Sequence, residues 1–119
     1  MILIVDDDRV CQIFVSSVLK KAGYDVLTAM NGVAAMEMMT RGNIDLMLLD
    51  WEMPEMNGLE TLAALRGNPD YRTLPVLMLS SAEHHDARDT ALKAGANDFV
   101  SKPVTPDNLL SSIARYTTH

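Results

Sequence analysis

Carboxylates follow two of the short apolar runs in this sequence, and at this spacing they could bind a cation. Asp6, Asp7 and Asp8 come directly after the first run, and Asp50 follows the third. Carboxylates that meet at one place repel one another, so some of them must be protonated unless a cation lies among them. A hard divalent ion with oxygen ligands, Mg²⁺ rather than Zn²⁺, would offset this repulsion.

A hydroxyl and an ammonium group follow two further apolar runs. Ser80 and Ser81 come at the end of the fourth run, and Lys102 lies just past the fifth, before Pro103. Any one of these residues is typical of a solvated strand end, but the whole set favours one shared site. A dinucleotide or flavin site is disfavoured, because three aspartates would repel phosphate. The sequence also lacks the glycine-rich phosphate-binding motifs G-x-G-x-x-G and G-x-x-x-x-G-K-S/T.

Strands and helices that alternate along the chain must position these side chains. Short apolar runs predict strands at 2–5, 25–29, 46–49, 76–79 and 99–100. Between them, apolar residues recur at helical spacing, first through Val10, Phe14, Val15, Val18, Leu19 and Ala22. This repetition predicts an α/β fold, a doubly wound five-stranded parallel sheet flanked by five helices in three layers. Ligands bind beyond the carboxyl ends of the strands in such a sheet.

Turn residues predict where several helices begin and end. Gly23 follows the first helix and Gly95 the fourth, which spans 86–94. Asn57-Gly58 precedes a third helix that Gly67 ends, and Thr105-Pro106 is typical of a cap and first turn for the fifth. We expect the inner face of the fifth helix to carry Leu109, Leu110, Ile113 and Tyr116.

Composition excludes several classes of protein. The chain has 119 residues, of which 48% are hydrophobic and 22% charged, as expected for one globular domain spanning 1–119. A net charge of −6 argues against non-specific binding to nucleic acid or anionic membranes. The single cysteine rules out an internal disulfide. No apolar run is long enough to span a membrane and no signal peptide is evident, so we expect a cytoplasmic protein.

Taken together, these residues resemble the receiver (CheY-like) domain of two-component response regulators, from Ile2 to about Tyr116. The matching pieces are Val5-Asp6-Asp7, Leu48-Leu49-Asp50, Met53-Pro54, Asn57-Gly58, Ser80, Ala94-Gly95-Ala96 and Lys102-Pro103. Each piece by itself is weak evidence for this family, whereas all of them in this order and at this spacing are highly specific for it. The resemblance implies the flavodoxin-like (CheY-like) form of the three-layer α/β/α fold.

The resemblance also implies a role for each acidic residue. Asp50 would be the phosphorylation site, taking a phosphoryl group from a partner's phospho-histidine. Mg²⁺, for which Mn²⁺ could substitute, would be bound directly by Asp7 and by Asp50, and by Asp6 largely through water. Glu52 would offer its backbone carbonyl to the metal. Asp8 either adds to this metal site or caps the first helix, and the sequence leaves both roles open.

Three further roles follow from the resemblance. Ser80 would move to hydrogen-bond the phosphoryl group, and Lys102 would pair with Asp50 and then with the phosphate. Together with Asp50, these two residues would form the catalytic set. Phe99 matches an aromatic position that switches together with Ser80, although it could instead be a plain edge-strand aromatic. If it switches, the fourth helix, fifth strand and fifth helix form the output surface.

The resemblance implies a phosphorelay switch that modifies itself and is not an enzyme acting on an external substrate. Its partners would be a sensor histidine kinase or histidine phosphotransfer protein, and an output protein or attached output domain. A phosphorylation-dependent homodimer is compatible with this reading. A constitutive scaffold-type receiver is the alternative, although Asp50 and Lys102 are both retained. An aspartyl-phosphate phosphatase is disfavoured, because Glu52 replaces its second aspartate. The chain could be free-standing or part of a larger regulator.

Overall fold

The computed structural model describes residues 1–41, 43–51, 57–80, 87–101 and 104–116. Within these ranges, five strands alternate with five helices, as the sequence predicts. The strands are β1 (Ile2–Val5), β2 (Val26–Ala29), β3 (Leu46–Asp50), β4 (Val76–Ser80) and β5 (Asp98–Ser101). The helices are α1 (Arg9–Lys21), α2 (Gly32–Met39), α3 (Gly58–Arg66), α4 (Ala87–Lys93) and α5 (Pro106–Tyr116).

The strands form one parallel sheet in the order β2-β1-β3-β4-β5. β1 lies between β2 and β3, and Leu3 pairs with Leu27 on one side and with Met47 on the other. The chain thus turns back across the sheet after β2, and the reversal of strand order falls between β1 and β3. The predicted doubly wound α/β fold is confirmed, and the carboxyl ends of β1 and β3 flank the crevice where such sheets bind ligands.

Apolar side chains fill both faces of the sheet. Every residue of β1, β3 and β4 is buried, as expected for strands that helices cover on both sides. On one face, Ile4 and Leu48 belong to a cluster that α1 and α5 complete with residues such as Leu19 and Ile113. On the other face, a second cluster joins the sheet to α2, α3 and α4. The expected three layers are therefore confirmed.

Helix α1 buries a different set of residues from the one that its apolar spacing indicates. Val15 and Leu19 are buried, but Val10 is 77% exposed and Phe14 is 41% exposed. The polar residue Gln12 is buried instead. It precedes Val15 by three residues and Leu19 by seven, which places all three on one side of a helix. The apolar spacing therefore overestimated how much of this helix the core covers.

Most of the predicted helix ends are present. Gly23 and Gly95 follow α1 and α4 with φ angles of 96° and 111°, a conformation that glycine adopts without strain. Asn57 and Glu60 form a reciprocal capping box at the start of α3. The hydroxyl of Thr105 accepts a hydrogen bond from the N–H of Asn108 at 3.3 Å, as its predicted capping role requires. In the described ranges, no helix is both long and apolar enough to cross a membrane.

Candidate functional site

Three carboxylates meet at the carboxyl edge of the sheet. Asp6 follows β1, Asp7 is its neighbour in the chain, and Asp50 is the last residue of β3, the strand beside β1. One carboxylate oxygen from each lies within 4.8 Å of the other two. Asp6 and Asp50 are buried, at 0% and 4% exposure, whereas Asp7 is exposed. We call these three residues the acidic group; the sequence predicted their proximity, and their roles stay predictions.

Asp8 caps helix α1. Its Oδ1 atom accepts hydrogen bonds from the N–H groups of Val10 and Cys11, at 3.0 and 3.3 Å. A carboxylate at this position satisfies free backbone donors and interacts favourably with the positive end of the helix dipole. The structure thus shows one of the two roles that the sequence left open for Asp8, and the acidic group comprises the other three residues.

Asp6 is held by hydrogen bonds to both its side chain and its main chain. Its Oδ1 atom accepts from the N–H of Asp8 at 2.9 Å, and its own N–H donates to the carbonyl of Ala29 at 3.1 Å. Its carbonyl accepts from the side-chain amide of Gln12 at 3.1 Å. Sequence analysis missed Gln12, although its spacing from the buried residues of α1 could have revealed it.

Gly58 allows helix α3 to start against the end of β3. Its N–H donates to the carbonyl of Trp51 at 2.9 Å. A Cβ atom at this position would overlap the carbonyl oxygen of Asp50 and lie 2.7 Å from the Cα of Trp51. The sequence marked Gly58 as a turn residue only. The structure shows that it also allows close packing beside Asp50.

Ser80 and Phe99 lie on the two strands that follow β3 in the sheet. Ser80 is the last residue of β4 and is 1% exposed. Because Asp50 pairs with Leu79, Ser80 lies one position further along the neighbouring strand. Phe99, on β5, is half-buried and meets the ring of Trp51 edge-on, with centroids 6.4 Å apart. An aromatic contact thus joins β5 to the residue that follows Asp50, and the predicted switch role stays a prediction.

Two predicted site residues, Glu52 and Lys102, lie outside the described ranges, as does Ser81. The expected metal carbonyl of Glu52 and the expected phosphate contact of Lys102 therefore stay predictions. The described part of the predicted site consists of the acidic group, Ser80 and Phe99.

The donor atoms of the acidic group suit a hard divalent cation. All three residues offer carboxylate oxygens, the ligands that Mg²⁺, Ca²⁺ and Mn²⁺ prefer over thiolate or imidazole. Negative charges at this separation repel one another, and the repulsion is stronger near the buried Asp6 and Asp50 than in bulk water. An ion among them would offset this repulsion, so the acidic group could bind a metal ion.

The three-layer fold, with acidic residues at the carboxyl ends of β1 and β3, agrees with the resemblance to receiver domains. A family model of the response regulator receiver domain matches residues 2–114, and the chain belongs to this family. The chain is 36% identical over 110 residues to a chemotaxis protein CheY homolog of Campylobacter jejuni, covering 91% of this chain and 85% of that protein. The solved structure of chemotaxis protein CheY4 from Vibrio cholerae matches with a TM-score of 0.91 at 32% identity, covering 98% of this chain and 97% of that one.

Relatives of the chain also occur inside larger proteins. It is 33% identical over 116 residues to the CAI-1 autoinducer sensor kinase/phosphatase CqsS of Vibrio cholerae, covering 97% of this chain but 17% of that protein. The resemblance inferred from the sequence is therefore confirmed: this is a receiver domain of two-component response regulators. Domains of this family interact with sensor kinases and with output domains or proteins.

Proposed function

We propose that the chain is a phosphorylation switch that accepts a phosphoryl group on Asp50 in a Mg²⁺-dependent reaction. The observation that carries this proposal is the meeting of Asp6, Asp7 and Asp50 within 4.8 Å. Mn²⁺ is expected to substitute for Mg²⁺, because both accept carboxylate oxygens. The domain promotes its own phosphorylation and dephosphorylation and does not turn over an external substrate.

The proposed transfer is a nucleophilic displacement at phosphorus. An oxygen of Asp50 attacks the phosphorus atom, the P–N bond of the partner's phospho-histidine breaks, and the imidazole nitrogen leaves with the electron pair. Asp6, Asp7 and Asp50 would hold Mg²⁺, which when bound would supply positive charge that offsets repulsion between the carboxylates and the phosphoryl group. Ser80 lies one position beyond the residue that pairs with Asp50 on the neighbouring strand, and its hydroxyl would donate to a phosphoryl oxygen. Lys102 would add a second positive charge.

The proposed phosphoryl donor is a sensor histidine kinase or a histidine phosphotransfer protein, acting in the cytoplasm. Helix α1 begins next to the acidic group and exposes Val10, Ile13 and Phe14 at 77%, 63% and 41%. Exposed apolar side chains next to a reactive site are typical of a surface that binds a protein partner. An output protein or attached domain would bind the face formed by α4, β5 and α5. A phosphorylation-dependent homodimer is compatible with this proposal.

The test is intact mass spectrometry after incubation with acetyl phosphate and Mg²⁺. We expect the wild type to gain one phosphoryl group, and the Asp50→Asn variant to gain none. Removing Mg²⁺ with a chelator should abolish the gain. The matched control is Asp107→Asn, which removes an exposed acid on α5 and should be labelled like the wild type.

A second arm replaces acetyl phosphate with a phosphorylated histidine kinase. Transfer to the wild type but not to Asp50→Asn supports the proposed donor class. If neither donor labels the wild type while Mg²⁺ still binds, the domain is a constitutive scaffold-type receiver and the proposal is wrong. Equal labelling of Asp50→Asn and the wild type would place the acceptor at another residue.

A further inference from the structure

A buried amide links the acidic group to the edge strand β2. Gln12, on helix α1, is 7% exposed. Its Nε2 atom donates to the carbonyl of Asp6 at 3.1 Å and to the carbonyl of Ala29 at 2.9 Å. Both acceptors are carbonyl oxygens, so only the NH₂ end of the amide can face them. These two bonds use both of its N–H donors.

The two carbonyls belong to the ends of neighbouring strands. Asp6 follows β1, and Ala29 is the last residue of β2. The parallel ladder already joins them, because the N–H of Asp6 donates to the carbonyl of Ala29 at 3.1 Å. The side chain of Gln12, on helix α1, adds a second connection between the two strand ends. The main chain on the carbonyl side of Asp6 is therefore fixed by a side chain that is outside the acidic group.

We propose that Gln12 is a positioning residue for the metal site. This inference rests on the Mg²⁺ binding proposed above. Asp6 and Asp7 are consecutive, so the peptide unit whose carbonyl Gln12 holds connects these two members of the acidic group. Rotation of this peptide unit would change ψ of Asp6 and φ of Asp7, the backbone angles on which the relative placement of the two carboxylates depends. Hydrogen bonds that orient metal ligands from outside the ligand set typically change metal affinity by about 10–100-fold.

The test is a Mg²⁺ titration followed by the fluorescence of Trp51, the single tryptophan of the chain. Gln12→Met keeps the length of the side chain and removes both donors. We expect it to weaken Mg²⁺ binding by about 10-fold. Gln12→Asn keeps an amide but is one methylene shorter, so it should also bind more weakly. This second variant keeps the test informative if Gln12→Met fails to fold.

The matched control is Val15→Ala, a fully buried position on the same face of α1. It should lower stability while leaving Mg²⁺ affinity unchanged, because its apolar side chain lies in the core cluster between α1 and the sheet and offers no hydrogen bond to Asp6. If a general loss of stability weakened Mg²⁺ binding, Gln12→Met and Val15→Ala would both bind Mg²⁺ more weakly. Amide hydrogen exchange at Asp8, whose N–H donates to Asp6, should rise in Gln12→Met and not in Val15→Ala.

The two proposals fail in different ways. If the wild type does not bind Mg²⁺, the proposed function is wrong and Gln12 has no metal site to position. If the wild type binds Mg²⁺ and folded Gln12→Met binds it equally well, only the positioning role is wrong. A loss of affinity in Val15→Ala as large as that in Gln12→Met would also overturn the positioning role.

Discussion

At the carboxyl edge of the sheet three carboxylates lie within 4.8 Å of one another, whereas at the amino edge the guanidinium of Arg66 lies among oxygen acceptors. Arg66 ends helix α3, and its Nε atom donates to the carbonyl of Gly95 at 2.9 Å. Its Nη atoms donate to the carbonyls of Tyr71 and Arg72, at 3.0 and 3.2 Å, and to Oδ1 of Asn97 at 3.1 Å. One positive group thus joins the segments that lead into β4 and β5.

The two edges differ in what the surrounding protein does for a charge. Burial lowers the pKa of the Arg66 guanidinium from its ordinary value, because desolvation disfavours the charged form. Its hydrogen bonds offset this desolvation within the protein. The acidic group, by contrast, gathers like charges that a bound cation would stabilise. At the amino edge, hydrogen bonds within the protein thus stabilise the charge, whereas at the carboxyl edge the acidic group could bind a metal ion.

The largest loss of stability is expected at the amino edge, in Arg66→Met. The substitution keeps much of the apolar stem but leaves the carbonyls of Tyr71, Arg72 and Gly95 without this donor. We expect the free energy of unfolding to fall by about 2–3 kcal/mol, measured by urea denaturation.

The exposed Arg41 supplies a matched control for this loss. Arg41→Met should change the free energy of unfolding by less than about 0.5 kcal/mol. The Mg²⁺ affinity of Arg66→Met should equal that of the wild type, because Arg66 lies at the opposite edge from the acidic group. Weaker Mg²⁺ binding in this variant would show that the two edges are not independent.

A loss of stability that is equal or smaller is expected at the carboxyl edge in Gly58→Ala. The added methyl group would meet the main chain at Asp50 and Trp51, so β3 or α3 must shift. Overpacking of this kind lowers stability by about 1–3 kcal/mol. Weaker Mg²⁺ binding should accompany the loss, since the shift displaces Asp50. Thermal denaturation and a Mg²⁺ titration would measure the two effects.

Gly67 provides the control for this substitution, because a Cβ there would have its nearest contact at 3.4 Å, with the carbonyl oxygen of Ala63. Gly67→Ala should leave the free energy of unfolding unchanged or raise it by up to about 1 kcal/mol, because alanine lowers the conformational entropy of the unfolded chain. If the two variants lose equal stability, the close approach at Gly58 is not what limits that position.

In the metal-free protein, the smallest change in stability is expected for Asp7→Asn, and any change should be a gain, unlike the loss in Arg66→Met. Removing one of three like charges should leave the metal-free protein unchanged or slightly more stable. In the wild type, Mg²⁺ at one hundred times its Kd should stabilise by about 2.7 kcal/mol, and Asp7→Asn should lose most of this gain. Thermal denaturation with and without Mg²⁺ measures both effects.

Glu37→Gln, which removes an exposed acid on α2, should keep the full Mg²⁺ stabilisation. A metal-free loss of stability in Asp7→Asn would mean that the acids do not repel one another appreciably. The contrast between the two edges would then be wrong.

Most of the fold could be predicted from periodicity, because a buried parallel strand requires an apolar run and a surface helix requires an apolar stripe. The stripe was misleading in α1, where Val10 and Phe14 are exposed and Gln12 is buried. Apolar spacing shows which residues share a face, but it does not show how far the core extends along that face. Helical spacing places Gln12 on the buried face of α1, but it does not identify the carbonyls of Asp6 and Ala29 that accept hydrogen bonds from its amide.

The sequence by itself determined the alternation of strands and helices, the family, and the residue types at the strand ends. These depend on local patterns of hydrophobicity and on side-chain chemistry, both of which can be read along the chain. The sequence also predicted that Asp6, Asp7 and Asp50 share one site. The tertiary structure shows how they meet, because β1 lies between β2 and β3 and so ends beside β3. It also decided that Asp8 is a cap, that Gln12 holds Asp6, and that Arg66 joins the opposite edge. The cap at Asp8 is a local contact, for which the sequence left two roles open. The strand order, the bond from Gln12 to Ala29 and the contacts of Arg66 join residues far apart in the chain, whose geometry is fixed only once the sheet is assembled.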